Sequence, residues 1–198
     1  VSISAVGALK ETLPPRDFVY PEQLVDETKA RAATFFGAGL VAHVAFDHPF
    51  CAEQSRILHE QARGLGIRAH AGGILVCMEG PAFSTKAESQ YHRRQGYDII
   101  GMTALPEAKL AREAELCYAP VCLVTDYDCW KEGEEVSSGK VVENLAVNVA
   151  NAQRLLAAAL PALAARPRTC RCAEALSGAI FTDPARADRR TLRQLDLL

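Results

Sequence analysis

The sequence predicts an α/β domain built on a largely buried sheet, and three observations carry that expectation. Short apolar runs recur at 73–78, 98–102 and 119–125, the pattern of strands covered on both faces. Segments with helical apolar spacing alternate with them. Glycines and prolines punctuate the boundaries between the two.

Taken in chain order, residues 1–9 read as an apolar strand running into a glycine turn at Gly7. Leu13-Pro14-Pro15-Arg16-Asp17 is a turn, and 18–20 and 23–26 are short extended pieces. Residues 27–42 have no clean period and carry Gly37 and Gly39, so they read as a loop. From 51 to 64 the apolar residues Ile57, Leu58, Ala62 and Leu65 fall at helical spacing, closed by Gly64 and Gly66. The run 73–78 is a strand, 84–94 a helix and 98–102 a strand. A helix follows from Pro106 to Ala114, with proline pre-set for a first turn and Glu107 favoured there by the helix dipole. The run 119–125 is another buried strand, and 138–163 a long helix apolar at Val141, Val142, Leu145, Val149, Ala152, Leu155 and Leu156. Arg186, Arg189, Arg190 and Arg193 coat a surface helix near the end.

Composition bounds the function classes. A chain of 198 residues suits a single globular domain, and 49% apolar with 23% charged residues excludes long disorder. Net charge is −2, leaving no basic excess to hold a nucleic-acid backbone. The most apolar unbroken stretch, 155–165, contains Pro161 and is too short to cross a bilayer. Residue 1 is Val and opens a strand-like run rather than a signal peptide, so a cut N-terminus is expected.

The seven cysteines are an odd count without a CxxC pair, and none of the five histidines stands at metal-ligand spacing to one. No metal site is therefore expected, and a reducing, cytoplasmic compartment is the default. Cys170-Arg171-Cys172 is the one visible pair and reads as an ordinary thiol pair, with a redox role as the alternative.

Ligands of α/β sheets collect at the carboxyl ends of strands. Four such ends are unusual here. Thr125-Asp126-Tyr127-Asp128 sets two carboxylates around an aromatic residue. Such a pair can hold a divalent cation, perform acid–base chemistry or recognise an amino-bearing ring; a solvated turn capping a helix uses the same residues. Phe83, after Gly80-Pro81, is a stacking platform for a flat ring or a core phenylalanine. Ser4, Ala5 and Thr103 offer hydroxyls and N–H groups that cradle an anion or cap a turn. Met102 fits core filler as well as ligand contact.

Together these segments resemble the S-methyl-5′-thioadenosine phosphorylases of the purine nucleoside phosphorylase superfamily. The match is carried by Glu79-Gly-Pro-Ala-Phe-Ser-Thr-Lys-Ala-Glu88, by Gly101-Met-Thr-Ala-Leu-Pro-Glu-Ala-Lys-Leu-Ala-Arg-Glu113 and by Thr125-Asp-Tyr-Asp-Cys-Trp-Lys131. Ser4-Ala-Val-Gly-Ala-Leu9, Asp26-Glu-Thr28 and Phe35-Phe36-Gly37 also fit. The resemblance runs over the whole chain and implies an α/β fold: a phosphorylase/hydrolase-like mixed β-sheet, closed into a partial barrel and surrounded by helices.

The resemblance also implies cleavage of methylthioadenosine by inorganic phosphate, a co-substrate, to adenine and 5-methylthioribose 1-phosphate. No metal or organic cofactor is implied, and the expected assembly is a homotrimer or a hexamer built from two trimers. The expected partners are a nucleoside and phosphate, with no nucleic acid and no membrane. Carried over residue by residue, Asp126 faces the purine N7 as the catalytic acid and requires a raised pKa to donate. Asp128 accepts from the 6-amino group, which favours adenine over a 6-oxopurine. Phe83 stacks on the ring, Met102 packs on the ribose, and Ser84 stands where 6-oxopurine phosphorylases carry a glutamate. Ser4, the Ala5 N–H and Thr103 fall at phosphate positions, and Val141 and Val142 at the 5′-methylthio pocket. His43 and His48 are candidates for a histidine approaching that pocket from a neighbouring subunit.

The family's Gly-Thr-Gly phosphate loop and Arg-His phosphate pair have no match in the chain. The expectation is therefore one phosphorylase domain over 1–198 lacking that N-terminal segment and poorly active alone. A broader 6-aminopurine nucleoside or methylthioinosine phosphorylase and an inactive nucleoside-binding fragment are the alternatives.

Overall fold

A computed structural model describes residues 1–37, 39–133 and 138–195. Residue 38 of the expected loop and the last three residues of the resemblance lie outside this description. The described chain alternates strands and helices: β1 (Ser2–Ala8), β2 (Phe18–Tyr20), β3 (Gln23–Glu27), α1 (Ala52–Gly64), β4 (Ala69–Ala71), β5 (Ile74–Met78), α2 (Lys86–Arg94), β6 (Ile99–Gly101), α3 (Glu107–Glu113), β7 (Pro120–Asp126), α4 (Ser138–Ala164) and α5 (Arg189–Gln194). Two short 3-10 turns, Arg171–Glu174 and Pro184–Arg186, lie between α4 and α5.

All seven strands join one mixed sheet in the order β3-β5-β6-β1-β7-β2-β4, curled into a half-barrel as expected. β1 is central, parallel to β7 and antiparallel to β6. β7 explains why the apolar runs lack alternation. Its Val121 and Leu123 face a cluster with Leu58 and Ala62 of α1 and Ala152, Leu155 and Ala159 of α4. Its Cys122 and Val124 face the opposite cluster, with Leu75, Cys77, Ile99 and Leu105. Both faces are buried, so both parities must be apolar.

Helix boundaries follow capping chemistry. The helix expected from Ser84 starts at Lys86 because Thr85 takes the N-cap. The Glu88 N–H donates to the Thr85 hydroxyl at 3.2 Å, and the Thr85 N–H donates to Glu88 Oε2 at 2.7 Å. The strand β4 was not legible, since Ala69-His70-Ala71 has no β-forming signature; it exists through parallel pairing with β2. Among the described residues, no helix is long and apolar enough to cross a membrane.

Candidate active site

A cavity of about 520 Å³ opens beside β1 and is walled by the ends of β5, β6 and β7. β1 pairs with β6 only at Gly7 and Ala8, so its first residues have no ladder partner on that side and border open space. Its register against β7 then slips between Val6 and Gly7, where Gly7 comes to face Asp126. Such bulges re-aim side chains at the ends of strands. A Cβ on residue 7 would lie 3.0 Å from Asp126 Oδ1 and 3.3 Å from the Asp128 Cβ, so only glycine leaves both carboxylates in place.

The two carboxylates are fixed by short local bonds. The Thr125 hydroxyl donates to Asp126 Oδ2 at 2.6 Å and also reaches the Val6 carbonyl at 3.2 Å. The Asp128 N–H donates to Asp126 Oδ1 at 2.8 Å, closing an Asx-type turn in which Asp128 has φ of 51°. Burial raises the Asp126 carboxyl above its ordinary pKa, and the Asp128 charge adds to it. The Thr125 hydroxyl and the Asp128 N–H pull the other way without cancelling the shift. Asp128 is 4% exposed, and its Oδ2 is buried with no hydrogen-bond partner. A buried carboxylate oxygen without a donor is costly, and it can accept a hydrogen bond from a ligand N–H.

The rest of the turn is anchored. The Trp130 indole N–H donates to the Ala8 carbonyl at 2.8 Å, and the Arg93 guanidinium stacks 3.6 Å over the Trp130 ring. From α4, the Asn144 amide donates to the Thr125 carbonyl at 2.8 Å and Asn148 to the Val124 carbonyl at 2.9 Å.

Three residues of β1 further back, about 10 Å along the strand, the Ser4 and Thr103 hydroxyls meet at 2.6 Å. Ala5 is exposed in the same wall. Met78, Met102 and Phe83 form apolar walls, and Phe83 is 61% exposed rather than a core residue. Gly80, at φ of +72°, lets the Met102 thioether lie 2.6 Å from where a Cβ would stand.

Of the sequence-predicted residues, Ser4, Ala5, Phe83, Met102, Thr103, Asp126, Asp128 and Val141 all line this cavity. Ser84 and Val142 are not among its lining residues. Ser84 is buried behind the wall, its hydroxyl directed at the Met78 sulfur at 3.8 Å and its carbonyl accepting from the Cys129 thiol. Val142 is 64% exposed on α4. His43 and His48 line a different groove.

Sequence reading missed Arg31, in the loop that shows no period. Its guanidinium donates to the Glu79 carboxylate at 3.1 Å and to the carbonyls of Glu79, Met102 and Leu105 at 2.7, 2.6 and 2.5 Å. It thus ties together the loops that leave β5 and β6. Asn144 and Asn148 were also missed. An arginine in a loop and asparagines inside a helix carry no positional signal of their own.

Residues 1–161 match the family model described as the phosphorylase superfamily. The S-methyl-5′-thioadenosine phosphorylase of Gloeobacter violaceus is 50% identical over 98% of this chain, which spans 67% of that protein. That of Koribacter versatilis is 48% identical over 100% of the chain and 68% of its own length. Among solved structures, a methylthioadenosine phosphorylase from an Antarctic soil metagenomic library superposes over 100% of this chain and 70% of its own, with a TM-score of 0.94 at 44% identity. The Schistosoma mansoni methylthioadenosine phosphorylase in complex with adenine covers 90% of this chain and 71% of its own, with a TM-score of 0.86 at 34% identity. The chain thus spans about two thirds of the length of these relatives. Sheet order, the turn that pairs two carboxylates and these likenesses agree: the chain belongs to the S-methyl-5′-thioadenosine phosphorylase family of the phosphorylase superfamily.

Proposed function

We propose that the protein catalyses phosphorolysis of S-methyl-5′-thioadenosine to adenine and 5-methylthioribose 1-phosphate. The observation that carries this reading is the buried, unpartnered Asp128 Oδ2 beside an Asp126 carboxyl whose pKa is raised. An acceptor next to an acid that burial makes readier to hold a proton complements the 6-amino group and N7 of adenine.

In this reading the C1′–N9 bond breaks with its electron pair passing to the purine, while Asp126 donates its proton to N7. A phosphate oxygen attacks the oxocarbenium-like C1′ from the opposite face. The Ser4 and Thr103 hydroxyls and the Ala5 N–H hold that phosphate, and the stretch of β1 between them and the carboxylates leaves room for one pentose. Phe83 stacks on the base, Met102 packs on the ribose and Val141 borders the 5′-methylthio group. Ser84 supports the base pocket from behind through Met78, and Val142 belongs to the α4 surface. Phosphate is a co-substrate and no cofactor enters the step.

A homotrimer in the cytoplasm is proposed with it; exposed Val142 and Val149 on α4 support the trimer. Phosphate-dependent release of adenine from methylthioadenosine, compared with adenosine and inosine, tests the activity. Methylthioadenosine turning over fastest is the expected result, and faster turnover of inosine overturns it. Sedimentation velocity tests the trimer.

A further inference from the structure

Four cysteine sulfurs from three separate segments converge at the end of β7 remote from Asp126. Cys51 is the N-cap residue of α1, Cys117 precedes β7, and Cys170 and Cys172 bracket the start of the 3-10 turn after α4. Their sulfurs all lie within 4.8 Å of one another, and those of Cys117 and Cys170 are 3.3 Å apart. Cys51 and Cys172 are buried, and Cys117 and Cys170 are half-buried. Spacing in the sequence hides the cluster, because the only neighbouring pair is separated by a single residue and the other two lie 53 and more positions away.

We propose that Cys51, Cys117, Cys170 and Cys172 form a tetrahedral four-thiolate zinc site. A tetrahedron of Zn–S bonds of about 2.3 Å has sulfur–sulfur edges of about 3.8 Å; the sulfurs, 3.3 Å apart for Cys117 and Cys170 and all within 4.8 Å of one another, reach it by side-chain adjustments that change the pair distances by no more than about 1 Å. Four soft sulfur ligands select Zn²⁺ over the hard cations. Four protein ligands leave no open coordination position, so the site is structural rather than catalytic.

The surroundings suit the charge. Four thiolates around Zn²⁺ carry two net negative charges; the Arg168 guanidinium faces Cys170 and Cys117, and the N-terminal end of α1 meets Cys51. A groove bordered by Cys51, Cys170 and Cys172 gives the ion an entry path. Coordination displaces one proton from each thiol and changes no oxidation state.

The metal's role is to pin the segment after α4 to the starts of α1 and β7. Glu53 already holds that segment through Arg166 and through the Thr169 hydroxyl at 2.6 Å. The length of β7, about 20 Å, separates the centre from Asp126, so this inference stands independently of the proposed reaction.

The test uses the unaltered chain, purified with reductant present. One zinc per chain by elemental analysis is expected. Exchange for Co²⁺ is expected to give sulfur-to-cobalt charge transfer and the intense visible bands of a tetrahedral tetrathiolate. Cys117→Ser and Cys172→Ser are expected to lose the metal on dialysis, while Cys129→Ser retains it. The cobalt spectrum of the unaltered chain decides the matter even if either serine variant fails to fold. A reduced, folded chain that takes up neither ion overturns the proposal, as does a cobalt spectrum of nitrogen or oxygen ligands. So does a chain whose mass falls by two hydrogens for each disulfide among these cysteines and that still binds no metal once reduced.

Discussion

Gly7 and Asp126 face each other where the β1–β7 register slips, and the missing side chain of one is the space occupied by the carboxylate of the other. The bulge, the glycine and the acid are therefore one device. Two strands run in regular register from Ser2 and Pro120, and the shift in register at their ends turns Asp126 into the cavity.

Gly7→Ala tests that device. A methyl group 3.0 Å from Asp126 Oδ1 must displace the carboxylate, since strand backbone on both sides holds the glycine. A misplacement of about 1 Å at a reacting group costs on the order of a hundredfold in rate, and the few tenths of an ångström required here a part of that, on the order of tenfold. Turnover of methylthioadenosine is expected to fall that far while the melting temperature changes little. Equal losses of both would show a general packing defect instead.

Asp126→Asn removes the titrating acid. Loss on the order of 10²- to 10⁴-fold is expected for adenine nucleosides. The amide can donate to both N7 and O6 of a 6-oxopurine, so preference moves toward inosine-type substrates. Unchanged selectivity would remove the role assigned to Asp126.

The raised Asp126 pKa fixes the sign of two pH effects. The proton needed for N7 is present below the raised value, so activity falls as pH climbs through it. The folded state holds this proton more tightly than the unfolded chain does. Its stability contribution is thus complete below the ordinary carboxylate value and lost as pH rises through the raised one. The alkaline fall of the pH–rate profile and of the melting temperature should both flatten in Asp126→Asn.

Asp128→Asn keeps the shape and tolerates the left-handed backbone, because asparagine adopts positive φ readily. It replaces an acceptor-only group with one that can turn a donor toward the ring. Adenine affinity is expected to drop by about 1–3 kcal/mol, measured by calorimetry, with hypoxanthine binding gained.

Arg31 is a positioning residue whose removal frees the carbonyls of Glu79, Met102 and Leu105. Arg31→Lys retains the charge but not the planar fork that serves several acceptors at once. A rise in KM for nucleoside and phosphate is expected, because Met102 and Thr103 lie on one of the loops it ties and Met78 ends the strand that runs into the other. A variant with wild-type KM for both would show that the loops hold without it.

Much of the fold was legible because burial on both faces writes continuous apolar runs into β5, β6 and β7, and helical spacing into α1 and α4. The acids at 126 and 128 were equally visible, as polar residues ending such a run. Resemblance to a family then supplied roles that spacing left open among cation, acid–base and ring-binding uses. Where the reading ran short, the cause was contact at a distance. β4 exists only through its pairing with β2, and Ser84 and Val142 differ from Val141 and Phe83 in direction, which sequence order does not encode.

By itself, then, the sequence determined the alternation of strands and helices, the apolar core and the residue types at the strand ends, because each is a local consequence of burial and propensity. Only the tertiary structure decided which groups meet. It placed Ser4 against Thr103, 99 positions apart, set Arg31 across two loops, left Asp128 Oδ2 without a donor and gathered four thiols that no spacing announced. Hydrogen bonds and metal coordination require atoms within a few ångströms, and chain closure over tens of residues, not the order of the letters, brings them there.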